Sequence, residues 1–157
     1  MTNYFIEVYD DASPAEFCDR FIELFERSPH RQQGRTGGGV DVSKKLSEDL
    51  YLNQHNEYAN ELRTICDATT RYAVEYFKKY HFALIAPIGL TVKHPKTGQP
   101  VNLTHDNFDE LAAGKEQAFM QLLYRLGPIQ AQKYHRGEGN YKYWHCEVFP
   151  EKNGYEA

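Results

Sequence analysis

The sequence lacks the features that would place it in several specialised classes of protein. It has three cysteines, Cys18, Cys66 and Cys146, and no C-x-x-C pair, so no disulfide framework is expected. No apolar run approaches the roughly 18 residues that a membrane helix needs. Basic residues do not outnumber acidic ones, and the net charge of −4 favours neither nucleic acid nor an anionic membrane as a partner. Since no secretory signal follows Met1, we expect a reduced protein in the cytoplasm.

The composition is that of a globular protein. Apolar residues make up 41% of the chain and aromatic residues 14%, including 12 Tyr and 9 Phe. This is enough apolar surface to form a core. A chain of 157 residues is expected to fold as one domain spanning residues 1–157, and no repeat or linker divides it.

Helices are predicted by capping residues and by apolar spacing. Residues 13–16 (Ser-Pro-Ala-Glu) are typical of a helix start, with Ser13 as the N-cap, and this helix should end near residues 28–29 (Ser-Pro). A long helix is predicted over about 57–80, because apolar residues recur there with helical spacing. Two shorter helices are predicted further on, at 106–112 and 116–126.

The predicted strands make the fold α+β. Residues 4–9 are rich in β-branched and aromatic residues and are predicted to form the first strand. The apolar run at 82–88 is predicted as a strand, and 90–103 as a hairpin around the turn at 95–98. Residues 30–39 are predicted to form a solvated, glycine-rich loop, because the Gly-Lys-Ser/Thr of a phosphate-binding loop is missing.

Residues 129–147 are the most informative segment, because a strand pattern, a glycine-rich turn and a second strand pattern follow one another. On a strand, residues i and i+2 point the same way, so His145 and Glu147 are predicted to lie side by side. An imidazole and a carboxylate are two of the three ligands in the facial triad that binds non-haem Fe(II).

Alternation along these two strands assigns the other side chains to faces. Tyr141 and Tyr143 share the predicted face of the His-x-Glu pair and are candidates to shape a substrate-binding mouth. Trp144 and Cys146 are predicted to point the other way, into packing. Three side chains of the first strand share a face that we expect to line a cavity: Gln130, Gln132 and Tyr134.

This segment, about residues 128–149, resembles the start of the catalytic core of 2-oxoglutarate- and Fe(II)-dependent dioxygenases of the prolyl-4-hydroxylase-like type. Their pattern runs apolar-Gln-x-x-x-Tyr, a glycine-containing turn, an aromatic residue and then His-x-Asp. Glu147 stands where that pattern has Asp. The matching positions are Gln130, Tyr134, Gly137, Gly139, Tyr141 and His145.

The resemblance implies a helical N-terminal layer and then the first strands of a double-stranded β-helix, or jelly-roll, from about residue 128 onward. It also implies Fe(II) and 2-oxoglutarate as cofactors, with ascorbate as a possible reductant. His145 and Glu147 would be metal ligands, and Tyr134 would lie near the cosubstrate. Such an oxidoreductase uses O2 to hydroxylate a small-molecule or peptide substrate.

The same pattern implies two residues that this chain does not supply. The family has a second ligating His and then a basic residue for the cosubstrate, both downstream of the carboxylate, whereas all seven histidines precede Glu147. We therefore expect a truncated catalytic core that binds iron poorly and turns over little by itself.

Two other functions are compatible with these residues. A non-catalytic α+β binding module, or a degenerate dioxygenase fragment, would carry the His-x-Glu pair incidentally. A small zinc hydrolase would combine His145 and Glu147 with an upstream histidine. Three upstream histidines lie around the predicted hairpin and could supply that third zinc ligand, but they are not spaced as in a standard zinc site. They are His81, His94 and His105.

Overall fold

The structure is a computed structural model that describes residues 5–85 and 89–145, and the chain divides into two compact units. The first unit comprises Met1–Cys18 and Asn60–Gly127, and the second comprises Asp19–Ala59 and Pro128–Ala157. Both contain helices and short strands, so the α+β class is confirmed. Folding as one domain over residues 1–157 stays a prediction.

The first helix, α1 (Ala15–Arg27), passes from the first unit into the second. It begins one residue later than predicted, and the Pro14 carbonyl oxygen accepts a hydrogen bond from the Cys18 N–H at 3.1 Å. It ends before Ser28 and Pro29 as predicted, since a residue before proline is disfavoured in the helical region.

The first unit contains helices and a short hairpin. The long predicted helix is confirmed as α2 (Ala59–Lys79) and is followed by α3 (Phe82–Ile85). The hairpin is confirmed as β4 (Thr91–Lys93) paired with β5 (Pro100–Asn102). The two short helices are confirmed as α4 (Phe108–Leu111) and α5 (Glu116–Leu123), both shorter than predicted. The hydrophobic core of this unit is a cluster of seven buried residues: Phe77, Leu84, Leu103, Phe108, Leu111, Ala112 and Met120.

Two strand predictions in the first unit are wrong. Residues 5–9 form no strand; Phe5 has a φ of 54°, and Ile6 and Val8 are exposed. High strand propensity has no effect where no neighbouring strand supplies hydrogen bonds. The run that begins at Phe82 forms the short helix α3, and residues 86–88 lie outside the described part of the chain. A short apolar run does not distinguish a strand from a buried helix.

The described residues of the second unit form five short strands. They are β1 (Gln32–Gln33), β2 (Lys45–Leu46), β3 (Glu48–Tyr51), β6 (Gln130–Lys133) and β7 (Asn140–Tyr141). Strand β3 lies between β1 and β6, and β2 pairs with β7; all these pairings are antiparallel. Two 3₁₀ turns follow β3, at Leu52–Gln54 and Asn56–Tyr58. The predicted loop at 30–39 therefore contains a short edge strand.

The strands at the C-terminal end are shorter than predicted. The first is β6, but the second, β7, ends at Tyr141, so Tyr143 and His145 do not lie on a strand. The sheets are small, and a jelly-roll is not among the features seen in residues 5–85 and 89–145. Within those ranges no helix is long and apolar enough to cross a membrane.

Candidate functional site

His145 has a defined orientation although its side chain is exposed. Its ring stacks on that of Tyr141, with the centroids 3.7 Å apart and the planes at 17°. Its Nδ1 lies 2.9 Å from the backbone carbonyl oxygen of Tyr143. Because a carbonyl oxygen can only accept, Nδ1 carries the proton and the lone pair of the neutral ring is on Nε2. This is the tautomer in which an imidazole binds a metal through Nε2.

The other residues of the predicted metal and substrate site are only partly described. Glu147 lies outside the described residues, so its predicted position beside His145 stays a prediction. Tyr141 is half-buried on β7, whereas Tyr143 is 60% exposed. The prediction that Trp144 packs inward is wrong, because its side chain is fully exposed. The strand ends at Tyr141, so alternation no longer determines where later side chains point.

Tyr134 follows β6 and is 38% exposed. Its hydroxyl donates to the Gln132 side chain, with 2.8 Å between the oxygens. The two residues are therefore in contact, as expected from their predicted common face. The cofactor role of Tyr134 stays a prediction.

A buried polar cluster lies next to Tyr141 and was not predicted from the sequence. Its centre is Asp49, which is fully buried and accepts from Lys45 Nζ at 2.9 Å. Asp49 also accepts from the Ser47 hydroxyl at 2.8 Å and from Gln130 Nε2 at 2.6 Å. The Lys45 side chain is 3% exposed, so the ion pair is removed from water on both sides. We call Lys45, Ser47, Asp49 and Gln130 the Asp49 cluster.

The Asp49 cluster is contiguous with the predicted ligand His145. Lys45 and Tyr141 are direct partners in the β2–β7 pairing, and the Lys45 Nζ lies 5.6 Å from the centroid of the Tyr141 ring. The same ring stacks on His145. The buried Lys45 ammonium therefore lies near the Tyr141 ring, and the Tyr141 ring contacts the His145 imidazole, all within the second unit.

A signal for the Asp49 cluster is present in the sequence. Lys45, Ser47 and Asp49 alternate at i, i+2 and i+4, which is the spacing of one strand face. All three are buried, so the polar face points inward here. The backbone at Gly34 packs closely against Ser47, because a Cβ on Gly34 would lie 2.1 Å from the Ser47 hydroxyl oxygen.

A second group of charges, which is more exposed to solvent, includes Glu48 of β3 and Lys133 of β6. Glu48 is paired with Arg31 at 3.0 Å and with His135 Nε2 at 2.8 Å. Glu26 pairs with Lys133, whose hydrogen bond lowers the pKa of the Glu26 carboxyl. These exposed pairs stabilise the surface only weakly.

The remaining histidines make contacts of a different kind. His81 Nε2 lies 2.8 Å from His105 Nδ1, and His94 Nε2 lies 3.7 Å from a carboxylate oxygen of Glu110. In the part of the chain that the structure describes, no three side chains of His, Cys, Asp or Glu are grouped so as to hold a metal ion. The donor chemistry of His145 fits one position of an iron site, and the rest of a ligand set has to come from other residues.

Comparison with known proteins identifies no relative: no protein-family model, no curated protein and no solved structure matches the chain.

Proposed function

We propose that this chain carries the first part of the catalytic core of an Fe(II)- and 2-oxoglutarate-dependent dioxygenase, with His145 and Glu147 as two of the metal ligands. The observation that carries the proposal is the hydrogen bond from His145 Nδ1 to the Tyr143 carbonyl oxygen. It is the interaction that metal-bound histidines typically make with their other ring nitrogen, and it sets Nε2 as the ligating atom.

The surroundings of His145 support the same role. The stack on Tyr141 restricts the plane of the imidazole, so the His145 ring loses less conformational freedom when a metal binds. Residues 141–145 line a shallow surface depression, which gives a cosubstrate or substrate access to the ring. Tyr141 and Tyr143 are then the side chains that shape the mouth of the site.

In this proposal β6 and β7 are the first strands of a double-stranded β-helix that begins at about residue 128. Iron, when bound, supplies the redox chemistry by which 2-oxoglutarate and O2 are consumed and a C–H bond is hydroxylated. The residues of this chain bind and orient: His145 and Glu147 hold the metal, and Tyr134 contacts the cosubstrate. The reducing cytoplasm, with ascorbate as a reductant, is the compartment in which Fe(II) would be available.

Selective paramagnetic broadening tests the metal ligands without requiring turnover. Mn(II), which is stable in air and prefers similar ligands, would be added in small amounts to the full chain while the ring protons of all seven histidines are followed by NMR. The His145 protons should broaden first. Glu147→Gln should weaken this effect, because the carboxylate offsets part of the metal charge.

A matched control is available in the same unit. His135 is also exposed and also close to a carboxylate, that of Glu48. His135→Gln should leave the broadening of His145 unchanged. If His135 or the His81–His105 pair broadens before His145, the metal-ligand proposal is wrong, and the non-catalytic binding module becomes the better account.

A further inference from the structure

The Lys45–Asp49 ion pair occupies a position where charge is unfavourable for stability alone. The Lys45 side chain is 3% exposed and that of Asp49 is 0% exposed. Removing two charges from water has a large desolvation cost, and apolar side chains of similar volume often stabilise such a site equally well or better. The charge on Lys45 is therefore expected to have a role beyond stability.

The Lys45 ammonium can act on Tyr141. The two residues are direct cross-strand partners, and such partners lie close enough for their side chains to interact. The distance of 5.6 Å from Nζ to the ring centroid is within the range of about 6 Å for attraction between a cation and an aromatic ring. A buried ammonium makes this attraction stronger than a solvated one would.

Tyr141 in turn contacts the imidazole. Its ring and that of His145 are nearly parallel, with 3.7 Å between centroids. The ring therefore has the Asp49 cluster as one neighbour and the predicted ligand as another. Restricting the ring of Tyr141 also restricts the orientation of His145.

We propose that Lys45, fixed by Asp49, is a positioning residue for His145 and acts through the ring of Tyr141. The inference deepens the proposed function and rests on it, since His145 is taken there as a metal ligand. Asp49 is itself held by Ser47 and Gln130, so residues from β3, β6 and the segment between β2 and β3 fix the ammonium. Three interactions therefore connect the buried Asp49 carboxylate with the exposed His145 ring: Asp49 with Lys45, Lys45 with Tyr141, and Tyr141 with His145.

NMR of the metal-free full chain tests the positioning separately from metal binding. Stacking on Tyr141 should move the His145 ring protons upfield, and the ¹⁵N shifts of the ring should show the proton on Nδ1. Tyr141→Leu should abolish the upfield shift, and Tyr141→Phe, which keeps the ring, should preserve it. Nuclear Overhauser contacts should connect the Lys45 methylenes with the Tyr141 ring, and that ring with His145.

The test of the charge is the double variant Lys45→Met/Asp49→Asn, which removes both charges and keeps the volumes. The His145 shifts should move toward their random-coil positions although the amide spectrum stays that of a folded chain. Lys133→Met removes a charge from β6 but lies outside the Asp49 cluster, since Lys133 pairs with Glu26, so it should leave the His145 signals in place.

Unchanged His145 signals in a folded double variant would overturn the proposal. If the double variant does not fold, the proposal is tested by the two Overhauser contacts in the unmodified chain. The absence of the contact between Lys45 and Tyr141, or of the contact between Tyr141 and His145, would then overturn it. Mn(II) binding should weaken by about 10- to 100-fold in the double variant, the range for residues that orient a metal-bound histidine. If the shifts change as expected but the unmodified chain binds no Mn(II) at His145, the positioning stands and the proposed function fails.

Discussion

Lys45→Met is expected to destabilise the chain by about 3–5 kcal/mol, because it leaves the Asp49 carboxylate buried without its counter-charge. Methionine has nearly the volume and shape of the lysine side chain, so the substitution removes the charge without creating a cavity. The carboxylate that remains is 0% exposed and cannot be solvated without local unfolding.

The magnitude follows from the geometry. At 2.9 Å the attraction between the two charges is about 6 kcal/mol with an effective dielectric constant of roughly 20. Desolvation of both ions offsets most of this attraction in the native chain, so the pair as a whole contributes little. The variant keeps the desolvation cost of Asp49 and loses the attraction. Hydrogen bonds from Ser47 and Gln130 remain, which places the expected loss toward the lower end of the range.

Urea unfolding followed by circular dichroism would measure the effect, with the slope of the transition checked for constancy. The double variant Lys45→Met/Asp49→Asn is the matched control, and its stability should lie within about 1 kcal/mol of the unmodified chain, since neither charge remains. The reasoning is refuted if Lys45→Met alone costs less than about 1 kcal/mol, or if the double variant is as unstable as the single one.

Three further predictions concern other parts of the second unit. Lys133, the largest cause, lowers the pKa of Glu26 below its ordinary value of 4.5, so this pair stabilises the chain above pH 4.5 and the stabilisation is lost as the pH falls through the lower, folded-state pKa. Lys133→Met should reduce this pH dependence in acid-unfolding curves, because only the weaker effects of Arg31 and His135 remain, and an unchanged dependence would contradict the prediction. Tyr58→Phe should lower the free energy of unfolding by about 1 kcal/mol, because the Tyr58 hydroxyl bonds a buried serine at 2.6 Å; an unchanged urea midpoint would show that this bond contributes nothing. Gly139→Ala should lower the free energy of unfolding by about 1–3 kcal/mol, because its Cβ would lie 2.5 Å from the nearest backbone atom. Gly127→Ala is the control, because a Cβ there meets nothing within 4 Å, and equal melting temperatures of the two variants would refute the expectation.

The helices could be predicted from the sequence because their signals are local. The proline and capping residues around α1 and the apolar spacing of α2 are contained in the segments themselves. The hairpin of β4 and β5 was predictable for the same reason, since the turn at 95–98 lies between its strands.

Strands that depend on distant partners were harder to predict. Residues 5–9 have strand propensity, but none of the described strands pairs with them. Instead the backbone carbonyl of Phe5 accepts a hydrogen bond from the Tyr76 hydroxyl at 2.9 Å. Strand β3 pairs with β6, some 80 residues away along the chain, for example at Leu50 and Ala131. Such pairings are set by tertiary structure, which local propensity does not contain.

A sequence motif indicated one part of the candidate site. The other part was not predicted, because it consists of polar residues at buried positions. The His-x-Glu motif and its glycine-rich turn pointed to His145. The Asp49 cluster was missed because a strand face of Lys45, Ser47 and Asp49 is ordinarily expected to face solvent. Here that face is buried and its charges are paired.

The central claim, a metal site at His145 that also accepts 2-oxoglutarate, is tested most directly by the Mn(II) affinity of the full chain with and without that cosubstrate, measured from the EPR signal of free Mn(II). The affinity should rise when 2-oxoglutarate is present and should not rise with succinate, which lacks the keto group needed for chelation. His145→Gln should abolish this difference, and His135→Gln should preserve it. An affinity that is the same with 2-oxoglutarate as with succinate, or a difference that survives His145→Gln, would contradict the account.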